Sequence, residues 1–118
     1  MPFDIEQIPL DSGVLVLALS GTMTMGNLLQ RFEWMVEDLT KKNQNRIVMD
    51  MSKISYLDSS GIGVLVKCSA LVKNSGGQLR LAAVEERVMA TLRMLGLEGV
   101  LAISTSRDEA VSAIALGN

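Results

Sequence analysis

Residues 54–64 read Ile54-Ser55-Tyr56-Leu57-Asp58-Ser59-Ser60-Gly61-Ile62-Gly63-Val64, a run in which an apolar strand stops and a helix starts across three consecutive capping-type residues. Asp58, Ser59 and Ser60 can each accept hydrogen bonds from the unpaired N–H groups of a first helical turn. One cap is enough. The other two are left pointing outward at the positive end of the helix, where backbone dipoles favour added negative charge. Gly61 and Gly63 bring no side chain to cover this backbone. The local pattern serves either a plain capped helix with spare polar residues or a hydroxyl placed on display.

The helix that follows is expected over about residues 60–73. Val64, Leu65, Cys68, Leu71 and Val72 fall on one side by the 3.6-residue period and seat it on a sheet. Ile62, Gly63, Val66 and Ala70 form a second stripe with Ser59 at its head, a small apolar surface of low relief that a partner can cover. A helix buried between other elements would carry the same residues. Before the run, polar Asn43 to Arg46 lead into an apolar strand, Ile47 to Met51. After it come a Gly76-Gly77 turn, a strand at 78–82, a helix at 85–95 closed by Gly96, and a last strand at 99–103. Ser106 and Glu109 have capping-box spacing for a final helix to about residue 115.

Toward the N-terminus, Phe3, Ile5 and Ile8 alternate with polar residues, and Asp11-Ser12-Gly13 supplies a turn before Val14 to Leu19. This reads as an edge strand hairpinned to a buried one. Asn27 can cap a helix whose face is Leu28, Leu29, Phe32, Met35, Val36 and Leu39. Trp34 lies off that face, as tolerated surface or as part of a partner contact. Strands alternating with helices in the second half require right-handed crossovers and parallel pairing, whereas the opening hairpin is antiparallel. The expected fold class is therefore α/β, a mixed sheet of four or five strands with about four helices, in one domain spanning residues 1–118.

Asp58-Ser59-Ser60-Gly61-Ile62-Gly63 resembles the Asp-Ser-[Ser/Thr]-Gly-hydrophobic-Gly signature of STAS domains, specifically the single-domain anti-anti-sigma factors (anti-sigma factor antagonists). Ile47-Val48-Met49-Asp50-Met51 before it, Asn74-Ser75-Gly76-Gly77-Gln78-Leu79 after it, and Leu95-Gly96-Leu97 further on keep the family's order and spacing over essentially the whole chain. The resemblance implies a STAS-like fold and a partner-switching function. The unmodified protein binds an anti-sigma factor that is also a serine kinase and frees the sigma factor, phosphorylation ends the binding, and a PP2C-type phosphatase restores it. The family's phosphorylated serine carries over onto Ser59. Asp58, Ser60, Gly61, Ile62, Gly63, Val66 and Thr24 become the candidate partner-binding residues.

One segment departs from the family. Where anti-anti-sigma factors usually have Gly-acidic-hydrophobic-Asp after the second strand, this chain has Gly21-Thr22-Met23-Thr24, with both acids replaced. Thr24 is either a plain turn residue or a second phosphoacceptor. The departure leaves a second reading open, a non-switching STAS subunit of a stressosome-like scaffold or of a lipid-transport ABC complex. A nucleotide-binding STAS module is a third, by fold analogy.

Composition narrows the classes. With 11 basic and 13 acidic residues and a net charge of −2, there is no basic stripe to neutralise a nucleic-acid backbone. The chain has no His, no metal-ligand cluster and no Gly-rich loop with a Lys, so no enzyme activity, metal or cofactor is expected. Cys68, the single cysteine, reads as a small buried hydrophobe, and the eight methionines read as adaptable core filler. The acidic, alternating start and the lack of a spanning apolar run predict a cytoplasmic protein with no membrane insertion.

Overall fold

The computed structural model describes residues 2–117; Met1 and Asn118 lie outside the described residues. The elements run β1 (Asp4–Pro9), β2 (Leu15–Met23), α1 (Asn27–Lys41), β3 (Arg46–Leu57), α2 (Ser59–Asn74), β4 (Gln78–Ala82), α3 (Glu86–Met94), a short 3-10 turn (Leu97–Gly99), β5 (Ile103–Ser104) and α4 (Arg107–Gly117). The five strands form one sheet in sequence order, β1 antiparallel to β2 and the rest parallel. This is the mixed α/β sheet with four helices that the alternation of periods predicts.

Both faces of the sheet are covered, unequally. Leu15, Leu17 and Leu19 of β2 and Ile47, Met49 and Met51 of β3 meet α1, α2 and α3 in the larger core, with Phe32 of α1 at its centre. Phe3 packs edge-on against Phe32, ring centroids 5.4 Å apart. The alternate residues Val14, Val16 and Val48 meet Ala110 and Ile114 of α4 on the other face. A strand buried on both sides needs an unbroken apolar run, and residues 14–19 are one.

Several boundaries differ from the expectation. β3 runs to Leu57, past Met51, because β2 and β3 continue as a paired ribbon as far as Met23 and Leu57. Ile54 and Leu57 point inward there while Ser55 and Tyr56 stay exposed. The last strand is not 99–103. Leu97 to Gly99 form the 3-10 turn, whose Leu97 carbonyl accepts the Val100 and Leu101 N–H groups, so only Ile103 and Ser104 are left to pair with β4. Gly26, not Asn27, is the N-cap of α1, without a side-chain bond, and Leu28 is 46% exposed, off the buried face. Of the methionines, Met23, Met49 and Met51 are core, whereas Met25 and Met94 are 80% exposed. At α4, Ser106 Oγ accepts the Glu109 N–H at 3.1 Å, but the Glu109 carboxylate reaches the Thr105 N–H, one residue before the box position.

α2 is closed at its far end by Gly76, whose φ of +85° favours glycine, with Gly77 N–H returning to Val72 O and Gly76 N–H to Lys73 O. The helix is thereby fixed at both ends, and its N-terminus is held at the end of the β2–β3 ribbon.

Candidate functional site

Of the three capping-type residues, the structure uses Asp58. Its backbone is extended, its Oδ1 accepts the Gly61 N–H at 2.9 Å, and its main-chain carbonyl accepts the Ile62 N–H at 3.0 Å. Its other oxygen, Oδ2, accepts the Met25 N–H at 3.0 Å, a bond between residues 33 apart in sequence. These bonds, from Met25 first and then Gly61, hold the carboxyl below the usual carboxylate range against the small opposing effect of burial. Asp58 is thus engaged internally on both oxygens, and it ties the β2–α1 loop to the start of α2.

With the cap supplied by Asp58, Ser59 is the first residue of α2, exposed, and its hydroxyl has no hydrogen bond within the described residues. Ser60 is half-buried and lines a groove between α1 and α2 together with Met25, Leu29, Gln30, Gly63 and Lys67. Lys67 Nζ donates to Glu33 Oε2 at 2.6 Å across that groove, and the bond and the carboxylate's charge push the ammonium pKa up. Thr24 lies half-buried in the β2–α1 loop.

The candidate surface residues separate into distinct environments. Gly63 is exposed, with nothing within 4 Å of where a Cβ would stand. Ile62 and Val66 are half-buried and pack against the main core, so the apolar stripe is sunk into the fold along one edge. Gly61 is buried, contrary to its expected part in an uncovered backbone. A Cβ there would overlap the Met23 carbonyl oxygen, so the residue is glycine because α2 crosses the end of β2 in close contact. Cys68 is buried, as expected, and desolvation pushes its thiol up to about 12.

Two exposed side chains beside the site were not singled out by the sequence. Met25 is 80% exposed at the lip of the groove, and Tyr56, two residues before Asp58, is 57% exposed. Trp34 is 59% exposed on α1. A lone apolar residue in a polar loop, as in Thr24-Met25-Gly26, is the signal that could have found the first. Among the described residues no group of three potential ligands could hold a metal ion, and no helix is long and apolar enough to cross a membrane.

A family model for the STAS domain matches residues 6–110. The anti-sigma-B factor antagonist of Bacillus subtilis (strain 168) is 34% identical over 61 residues, 52% of this chain and 56% of that relative, so this alignment spans little more than half of the relative's length. The anti-sigma F factor antagonist of Paenibacillus polymyxa is 28% identical over 102 residues, 86% of this chain and 85% of the relative. The structure of the anti-sigma factor antagonist SpoIIAA in its unphosphorylated form superposes with a TM-score of 0.76 at 18% identity over 96% of each chain, a likeness of fold. The phosphorylated form of SpoIIAA, from Bacillus, superposes with a TM-score of 0.69 at 16% identity, covering 96% of this chain and 99% of that one.

Proposed function

The chain belongs to the STAS domain family, and on that premise we propose that it is an anti-sigma factor antagonist whose hold on its partner is ended by phosphorylation of Ser59. The observation that carries the reading is the division of labour at the start of α2. Asp58 supplies the cap, so the adjoining Ser59 hydroxyl is exposed and unengaged at the positive end of a 16-residue helix. Relatives named as anti-sigma factor antagonists support the partner class. The partner is an anti-sigma factor with serine kinase activity, a PP2C-type phosphatase reverses the modification, and this chain contributes binding without catalysis.

The covered surface includes Ser60, Gly63 and the outer edges of Ile62 and Val66, with Met25 and Thr24 on the neighbouring loop. A phosphate brings roughly two negative charges into it. A charge buried without a partner in an interface costs about 2–5 kcal/mol, and each 1.4 kcal/mol is about tenfold in affinity, so release requires no refolding. Incubating the protein with ATP and the serine kinases encoded beside its gene tests the reading. One phosphate is expected by intact-mass measurement, absent in Ser59→Ala, with Ser59→Ala binding the partner constitutively and Ser59→Asp binding poorly. Absence of phosphate with every such kinase, or equal binding by the two variants, would overturn the switch in favour of a non-switching STAS subunit.

A further inference from the structure

We infer that Asp58 is a relay: its carboxylate fastens the β2–α1 loop to α2, and a phosphate on Ser59 unfastens it. One carboxylate holds two separate pieces of chain, Gly61 N–H of α2 at 2.9 Å and Met25 N–H of the loop at 3.0 Å. The end of β2 has ties of its own, since Asp58 N–H donates to Met23 O at 3.2 Å and Gly61 packs against Met23. Residues 24–26 do not share them. Among the described residues, the hydrogen bond from Met25 to Asp58 is the one that joins this loop to α2 or its cap. The loop it fastens carries Met25, whose exposed side chain forms the lip of the α1–α2 groove.

A phosphate on the next residue acts on this carboxylate in two ways. Its oxygens compete for the amide donors of the first helical turn, and its charge repels the carboxylate. At a separation of about 6 Å in a water-like dielectric, two charges against one shift an equilibrium by about tenfold. Loss of one hydrogen bond to a charged group is worth about ten- to hundredfold, so the repulsion offsets the lower end of that range and the competition for the helix amides adds to it. The phosphate then disturbs the partner surface at the serine and at the Met25 lip together.

The inference rests on phosphorylation of Ser59 as the physiological event, but its test needs no kinase. Phosphoserine is installed at position 59 of the full chain during translation, and backbone amides are followed by NMR. In the unmodified protein the Met25 and Gly61 amide protons, both bonded to the Asp58 carboxylate, are expected to shift with pH as it titrates, below the usual carboxylate range. With phosphoserine at 59, Met25 amide exchange is expected to rise by about tenfold and its shift to stop following Asp58, while the Val16 amide in the middle of the sheet keeps its protection. Asp58→Asn should free the Met25 amide without phosphate, and phosphoserine should then add less than about twofold, the non-additivity of a shared path. If phosphoserine leaves Met25 exchange and titration unchanged in the otherwise native chain, the relay is wrong even where a kinase modifies Ser59. If installed phosphoserine frees Met25 but no kinase modifies the serine, the relay stands and the proposed function fails.

Discussion

Two glycines stand two residues apart on α2, and replacing each by alanine should move stability in opposite directions. Within a helix, Ala is favoured over Gly by up to about 1 kcal/mol. If local propensity decided, both changes would stabilise. At Gly63 an added Cβ has nothing within 4 Å, so the helical gain stands at about 0.5–1 kcal/mol. At Gly61 the same atom overlaps the Met23 carbonyl oxygen and lies 2.9 Å from Met23 Cβ and 3.0 Å from Leu57 Cβ. That carbonyl also accepts the Asp58 N–H, so the clash cannot be relieved by a side-chain rotation and must shift the end of β2 against the cap. Overpacking of this kind costs about 1–3 kcal/mol and the upper part applies when backbone must move, leaving a net loss of about 1–2 kcal/mol after the propensity gain. For a chain of 118 residues each kcal/mol is about 4 °C in Tm, so Gly61→Ala should melt about 4–8 °C lower and Gly63→Ala about 2–4 °C higher. Calorimetry, with urea titration for the free energies, checks both. A Gly61→Ala protein that melts at or above the parent would refute the close crossing of α2 over β2.

Arg107 Nε lies 2.8 Å from Asp50 Oδ2, and the Asp50 side chain is only 11% exposed, so Arg107→Met should cost about 1–3 kcal/mol at pH 7 by leaving a buried carboxylate without its cation. Burial raises the Asp50 pKa, but the hydrogen bonds from Ser52 and the Arg107 pair outweigh it and hold it below the carboxylate range. This contribution is therefore complete above about pH 4 and is lost as pH falls through the lower folded value, so urea titrations should show the two proteins converging in acid. Cys68 should resist a thiol reagent at pH 8 in the native protein and react fully in denaturant; labelling of the native fold would show that α2 is not seated as described. Leu65→Glu, at a fully buried position, should prevent folding, whereas Val66→Glu at a half-buried one should keep the fold at a cost of about 1–2 kcal/mol, read by circular dichroism and urea titration.

The unbroken apolar run at 14–19, the turn at Asp11-Ser12-Gly13 and the alternation of apolar strands with amphipathic helices made the mixed sheet legible, because each is a local pattern with a local cause. The errors lie where tertiary contact decides. β3 outruns its apolar core because β2 is there to pair with Tyr56 and Leu57, a partner 34 residues away for each. Val100 and Leu101 look like strand residues, but the chain needs a tight turn after Gly96 to bring Ile103 back beside β4, and Leu101 is buried from that turn instead. At the site, the residue pattern offered three possible caps, and the family resemblance singled out Ser59 among them. Neither showed that the Asp58 carboxylate serves a second element, because Met25 belongs to a loop whose approach is a property of the whole sheet.

The replaced acids acquire a physical meaning once the loop and the helix start are seen together. Across residues 21–26 and 58–63, the two segments that meet at the cap, Asp58 is the sole charged residue. Its charge is spent on two amide donors. The charges that line the adjoining groove, Lys67 and Glu33, are paired with each other, so the surface around Ser59 is close to net neutral outside the cap, and apolar at Met25 and Ile62. Under the proposed function, phosphate would take the local charge from −1 to about −3, a larger relative change than on a loop that already carried two acids. A partner that fits this neutral surface need not bring compensating cations to it, and a covered surface without cations is where a new charge is most expensive. On that proposal the threonines would sharpen the contrast between unmodified and phosphorylated Ser59, and restoring acids as Thr22→Glu with Thr24→Asp should weaken binding of the unphosphorylated protein while lowering the ratio between its affinity and that of the Ser59→Asp form. A ratio that stays the same would show that the loop's charge plays no part in the release.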